Sequence, residues 1–459
     1  MAEYEVLRQK HLAQLWQLIP QQLERITWSG ERLRSERQER LRALVRVAKE
    51  RSAWHRERLA HVDPERLRQE DLEQIPAMTK DDLMEHWDDI VTDRRLTLDL
   101  VERHLDSLTT DAYLLDRYHA VASGGSSGRR GVFVYDWDAW TLSYLGFTRW
   151  LLWDRLNDPE LTATPMVSGS VAAEVASHMT SAQAQTFSSP LLTVHQFPVT
   201  LPQQQVVAGL NQVQPIYLHG YASALYQLTH EARAGNLHIS PKRIVASAEP
   251  LLPEIRAALE ETWHAPVGNW WGTTEGGPTG ASCAKATGMH FADHLLIIEP
   301  VDEEGRPVPP GARSAKVYLT NLYNLALPLI RYEITDEVTL LDEPCPCGSQ
   351  HRRVDDIQGR LDDCFVYAGG LTVHPLIFRS ALGRERNIVE YQVRQTDHGA
   401  EIAARCLGDV DIPGLRRRII RELAQLGLKD PEVSITPVER LERQAIGKLK
   451  RFFPLVKGG

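Results

Sequence analysis

The chain has 459 residues, 42% of them apolar and 25% charged, the balance of a soluble globular protein large enough for a deep core and a cleft. Its 52 Lys and Arg against 61 Asp and Glu leave a net charge of -9, which argues against a general nucleic-acid or membrane-surface binder. No apolar run of about 18 residues occurs, the first residues (MAEYEVLRQKHLAQLW) lack an apolar h-region, and five Cys are sparse for this length, so a cytoplasmic protein is expected.

Taken in chain order, residues 1–75 read as helical, with Leu41, Leu44, Val45 and Ala48 forming an amphipathic stripe between Arg and Glu. Residues 81–108 continue helical but acidic. From about 120 to 321 short apolar runs alternate with helical stretches, as βα layering requires; 215–218 and 243–246 are such runs, and Pro253 suits the opening of the helix carrying Ile255, Leu259 and Trp263. Beyond Gly288 the pattern is mostly β, with strands expected over 316–320 and 327–332. The last hundred residues read as a small α+β unit. It has a hairpin around Asp397-His398-Gly399, a helix with Leu415, Ile419, Leu423 and Leu426 on one face, and a strand over 432–437. The expectation is an α/β protein: a large multi-layer domain over 1–361 with a β-rich subdomain, and a small mobile α+β domain over 362–459.

Five segments carry chemistry-bearing residues. Ser123-Gly124-Gly125-Ser126-Ser127-Gly128-Arg129-Arg130 can turn backbone N–H groups toward one anion, with hydroxyls and guanidinium groups beside them; alone, it equally suits a flexible Gly/Ser turn, and it is neither a Walker loop nor G-x-G-x-x-G. In Asn269-Trp270-Trp271-Gly272-Thr273-Thr274-Glu275-Gly276-Gly277 an aromatic beside a glycine can lie over a purine face. A Thr hydroxyl next to a carboxylate can there hold a phosphate oxygen and Mg²⁺ together. Asp336 follows the run Leu329-Ile330-Arg331-Tyr332 and is placed to accept both hydroxyls of a ribose. Gly359-Arg360-Leu361-Asp362-Asp363 sits at the expected boundary, and Gly447-Lys448 near the end can project a cation into a cleft.

The order and spacing of these segments resemble the adenylate-forming superfamily, and within it the phenylacetate–CoA ligase-like branch. Thr79-Lys80-Asp81-Asp82-Leu83 and Ser247-Ala248-Glu249-Pro250 add to the likeness, which runs from about 38 to 453. The resemblance implies ATP, Mg²⁺ and CoA as reactants and cofactors, with a small carboxylic acid as substrate. Ser126, Ser127 and Gly128 would close over the ATP phosphates, Ala248 and Glu249 would border adenine, and Trp271 would lie against the purine. Thr274 would hold the α-phosphate and Glu275 the Mg²⁺; Asp336 would hold the ribose and Arg360 would sit near it. Ser123, Arg129, Pro250, Asn269, Trp270, Gly272 and Thr273 complete the nucleotide set. Asp362 would be the pivot of the small domain, Lys448 would stabilise the pentacoordinate phosphorus, and a thiol would enter beside Gly369 and Gly370. For the acid, aromatic or heteroaromatic by expectation, the candidate lining is His219, Gly220, Tyr221, Ser223, Gly276 and Gly277.

Here Gly128-Arg129-Arg130 replaces the branch's Gly-Lys-Pro, Trp271 replaces a commoner Tyr, and Leu376-Ile377-Phe378-Arg379 stand where an acidic pair usually follows Gly370. The missing pair motivates an alternative acceptor to CoA: a carrier-protein thiol, an amine or another small nucleophile. A third reading is a nucleotide binder without turnover. Cys283, His290, Cys345 and Cys347 could form a closed Cys₃His zinc site, a pattern the branch resemblance also implies; His294 and His351 are alternative fourth ligands, and three reduced thiols in an ordinary turn suit the same residues. A homodimer stays open.

Overall fold

The computed structural model describes residues 2–123, 130–189, 192–249, 251–285, 287–355, 357, 365–373, 375–382, 384–385, 387–406, 408–441 and 451–455. The amino-terminal part is helical, as its pattern predicts, with helices Ala2–Glu24, Gly30–Arg51 and Ala53–Arg58; the second buries Leu41, Leu44, Val45 and Ala48. The short helix Lys80–Glu85 opens on a capping box: the Thr79 hydroxyl accepts from the Asp82 amide, and the Asp82 carboxylate accepts from the Thr79 amide.

A nine-stranded sheet forms the centre. Five neighbouring strands, Leu192–Pro198, Met166–Ala172, Tyr217–Tyr221, Arg243–Ser247 and Val267–Thr273, run parallel. Gly277–Ala281, Met289–Phe291, Arg353–Val354 and Leu340–Leu341 continue it antiparallel. Helices Gln203–Val213, Ala222–Arg233 and Pro253–Trp263 share one core with the parallel strands, built on Val206, Leu210, Leu225, Ile255 and Leu259. The helix Trp137–Leu156 packs against Gly277–Ala281. From Met166–Ala172 the chain passes first to one neighbour and then to the other, and in such sheets ligands settle outside the carboxyl ends of the strands at that reversal.

Two smaller sheets complete the large part. The hairpin Tyr118–Ala122/Val132–Asp136 closes through Ser123, whose N–H donates to Gly131 O (2.9 Å) while its hydroxyl accepts from the Gly131 amide (2.9 Å). Leu296–Val301, Lys316–Asn321 and Tyr332–Ile334 form a three-stranded sheet. The strand expected over 327–332 is corrected here: only Tyr332–Ile334 is a strand. Pro328 has no amide to donate, and Arg331 takes a left-handed φ of 53° while its guanidinium donates to Ile75 O (2.6 Å), so the run is a buried loop.

Toward the carboxyl end a separate core joins Phe365, Phe378, Val393, Leu415, Ile419 and Phe452. Ile388–Thr396 and Gly399–Cys406 form the expected hairpin, Thr396 opposite Gly399, and Ile412–Gln425 and Glu432–Pro437 are the expected helix and strand. The proposed boundary at 361/362 lies outside the described residues. Among the described residues no helix is long and apolar enough to cross a membrane.

Candidate active site

A cavity of about 1020 Å³ opens at the carboxyl ends of the parallel strands, enclosed by the three-stranded sheet, the hairpin and the helix Trp137–Leu156. Of the nucleotide candidates, Ser123, Ala248, Glu249, Asn269, Trp270, Trp271, Gly272, Thr273, Thr274, Glu275 and Asp336 all border it. Ser126, Ser127, Gly128, Arg129, Pro250, Arg360, Asp362 and Lys448 lie outside the described residues.

The turn after Val267–Thr273 is held rigidly. The Tyr135 hydroxyl donates to Thr274 O (2.6 Å), Asn321 Nδ2 donates to Glu275 O (3.1 Å), the Gly276 amide donates to Thr273 Oγ1 (2.9 Å), and the Tyr323 hydroxyl donates to Gly276 O (2.9 Å). The carbonyls of Thr274, Glu275 and Gly276 are thereby engaged, and Thr274 and Glu275 border the cavity. Burial raises the Glu275 carboxyl above its ordinary pKa, and the Lys80 cation opposes that shift. Lys80 arrives from far away in sequence: the Met78 amide donates to Arg331 O (2.9 Å) and the Glu333 amide to Met78 O (2.8 Å), stitching the segment before Lys80 to the strand before Asp336. Burial lowers the Lys80 pKa, against the pull of Glu275.

Asp336 and Trp271 act as one unit. The indole Nε1–H of Trp271 donates to Asp336 Oδ2 at 2.7 Å. Burial raises the Asp336 carboxyl and this bond pulls it back. The Trp271 ring is buried and tilted against Phe291, its centroid 6.1 Å away. Ala248 holds a left-handed φ of 61°, a conformation costly for a residue with a Cβ and common at ligand sites. Glu249 turns partly away, its Oε2 accepting from the Ser223 amide (2.8 Å) at the start of Ala222–Arg233.

The acid-pocket candidates divide. His219, Tyr221 and Gly277 border the cavity; Gly220, Ser223 and Gly276 do not, which corrects that part of the expectation. Gly220 is pressed against Val171 O, where a Cβ would come within 2.6 Å; the Ser223 amide donates to Glu249; Gly276 is buried under Tyr323. His219 Nδ1 lies 3.1 Å from Ser170 Oγ and its Nε2 2.8 Å from Ser247 Oγ, and burial lowers its pKa to about 4, so the ring is neutral at pH 7. Phe147 stacks on Trp270 at 5.2 Å, which gives this side flat apolar walls. Gly369 and Gly370 sit in an exposed turn at φ 78° and 80°, near Thr372, whose hydroxyl accepts from Gln227 Nε2 (3.2 Å).

Sequence reasoning gave no site role to Lys80, Ser170, Leu15, Trp16 or Ile19, all on the cavity wall. One signal was available for Lys80: it occupies the first position of its helix, where the dipole disfavours a cation, and a broken local rule often marks a site.

Away from the cavity, Cys283, His290, Cys345 and Cys347 converge, their ligand atoms all within 4.8 Å of one another. Cys283 Sγ and Cys345 Sγ are 3.6 Å apart and Cys347 Sγ is 3.4 Å from His290 Nε2. Ligands at ~2.3 Å on a tetrahedron stand roughly 3.8 Å apart, so the spacing suits a metal ion. His290 Nδ1 meets His351 O at 3.3 Å, which fixes the tautomer that offers Nε2. The other candidates for a fourth ligand are engaged elsewhere, His294 with Gln22 Oε1 (3.0 Å) and His351 with Arg25 O (3.1 Å).

No family model matches the chain. It is 27% identical over 264 residues to a phenylacetate-coenzyme A ligase of Thermus thermophilus, covering 52% of this chain and 59% of that protein. It is also 27% identical over 222 residues to a phenylacetate-coenzyme A ligase of Pseudomonas putida, covering 45% and 48%. The chain thus matches about half the length of these relatives. A solved 2-hydroxyisobutyryl-CoA ligase, in complex with 2-HIB-AMP and CoA, superimposes with a TM-score of 0.62 at 20% identity over 94% of this chain and 91% of that one, a likeness of fold.

Proposed function

We propose that the chain belongs to the adenylate-forming superfamily, on its phenylacetate–CoA ligase-like branch, and that it activates a carboxylic acid with ATP and passes the acyl group to CoA. The observation that carries this reading is the meeting of Thr274, Glu275, Trp271, Asp336 and Lys80 in one cavity with Ala248 and Glu249, from segments more than 200 residues apart. In the first step a carboxylate oxygen attacks the α-phosphorus, and the bond to the β-phosphate oxygen breaks to release pyrophosphate. In the second the CoA sulfur attacks the acyl carbon and AMP leaves. Both reactants of the first step are anionic, so cations at the reacting centre lower its barrier.

Asp336 is poised to accept the ribose hydroxyls while Trp271 keeps its carboxylate oriented. Thr274 offers its hydroxyl to the α-phosphate from a backbone already fixed by Tyr135. The Glu275 carboxylate, with a hydroxyl one residue before it, suits Mg²⁺ shared with phosphate oxygens, and that ion would supply charge neutralisation. Lys80 adds a cation from the large part, and Lys448, with residues 362–459 turning about Asp362, would add another. Phe147 and Trp270 suit an acid with a flat apolar body. Cys283, His290, Cys345 and Cys347 would hold a structural Zn²⁺ that ties the turn after Gly277–Ala281 to the loop after Leu340–Leu341.

The test is acid-dependent pyrophosphate release over an acid panel, with hydroxylamine trapping in the presence and absence of CoA. Lys448→Ala should remove most of the release while ATP affinity stays nearly intact; full rate in that variant would discard the role given to Lys448. Hydroxamate without thioester on adding CoA would shift the acceptor to another nucleophile.

A further inference from the structure

The cavity continues well past the reacting centre. Along the strand Met166–Ala172 its wall runs from Ser170, beside His219, back to Met166, four residues or roughly 13 Å. Along the helix Trp137–Leu156 it runs from Tyr144 to Leu152, eight residues or roughly 12 Å. The far end is apolar, formed by Leu152, Met166 and Leu192, the last two facing each other across adjacent strands.

An outer wall of the cavity comes from Leu15, Trp16 and Ile19 of the helix Ala2–Glu24. Polar anchors hold that helix in place: the Tyr4 hydroxyl donates to Asp111 Oδ2 (2.7 Å), Arg8 Nε donates to Gln185 O (3.3 Å), and His11 Nε2 lies 2.7 Å from Thr141 Oγ1. The anchors tie the first turns of that helix to Asp111 and to the helices Met179–Phe187 and Trp137–Leu156, and the apolar side chains that follow them line the lobe. Trp16, still 41% exposed, stands at its rim.

We infer that the helix Ala2–Glu24 is the specificity wall of an extended acid-binding lobe, and that the acid activated here has an apolar body about 12 Å long. This rests on the adenylation reading above and lengthens the acid it takes. A staggered carbon chain advances roughly 1.25 Å per bond, so the lobe accepts about ten carbons beyond the carboxylate, as alkyl chain or as ring plus chain.

The experiment measures acid-dependent pyrophosphate release by the full chain with unbranched acids of two to fourteen carbons, benzoate and phenylacetate. Each methylene inside the lobe should raise kcat/KM about fourfold, to an optimum at about eleven carbons, the carboxyl carbon included, and a fall beyond it. Ile19→Trp should move the optimum several carbons shorter and Ile19→Ala should move it longer, so the pair reads opposite directions even if one variant folds poorly. Release that peaks at acetate or benzoate, with Ile19 indifferent, would overturn the lobe and leave adenylation standing. If no acid gives release, adenylation fails. The melting shift with the same acids then decides the lobe: a rise with chain length that Ile19→Trp abolishes supports it, and no rise overturns it.

Discussion

The bond from the Trp271 indole to Asp336 Oδ2 (2.7 Å) allows a sharp test, because the two residues answer oppositely to removal. Burial raises the Asp336 carboxyl, so ionising it costs the fold free energy. For a group whose folded pKa is raised, stability is fully present below its unfolded value and is lost as pH rises through the folded value. Asp336→Asn should therefore stabilise the protein at neutral pH, and that gain should shrink toward the ordinary carboxylate range. Trp271→Phe keeps most of the ring packing but removes a donor to a charge, at a cost of about 1.5–3 kcal/mol. In the Asn background the same substitution removes only a neutral bond, about 0.5–1.5 kcal/mol, so the double-mutant cycle should show about 1–1.5 kcal/mol of coupling. Urea unfolding followed by circular dichroism at neutral pH measures all four proteins. A lower midpoint for Asp336→Asn, or equal Trp271→Phe costs in both backgrounds, would refute the argument.

Other outcomes follow from the same geometry. Glu275→Gln should cut acid-dependent pyrophosphate release at least about a hundredfold, which pyrophosphate assays check. Elemental analysis should find one zinc per chain, and Cys347→Ser should lose it and melt several degrees lower; unchanged metal content and melting would discard the Cys/His site. His11, His55 and His351 are held by burial at about 3 and His219 at about 4, all below the ordinary histidine value. Their depressed pKa values make protonation favour the unfolded chain, so stability should hold above about pH 6.5 and fall progressively toward pH 4. Thermal melts across that range test this, and a melting temperature flat from pH 7 to pH 4 would contradict it.

Periodicity and punctuation sufficed for much of this protein. The amphipathic stripe at Leu41, Leu44, Val45 and Ala48, the hairpin closed at Thr396 and Gly399, and the helix buried through Leu415, Ile419 and Leu423 are local in origin, because side-chain period and turn chemistry act within a few residues. The order of short motifs likewise made Thr274, Glu275, Asp336 and the Cys/His cluster readable as candidates. Proximity was not readable. Lys80 faces Glu275 only because Met78 pairs with Tyr332, and Gly220 leaves the cavity wall because the neighbouring backbone at Val171 O crowds it. The loop through Pro328 and Arg331 shows the same limit, since an apolar run looks alike in a strand and in a buried bend until a long-range partner such as Ile75 O takes its donors. What one chain segment can form is set by its own few residues; which segments share a cavity is set by contacts hundreds of residues apart, and those exist only once the sheets have packed.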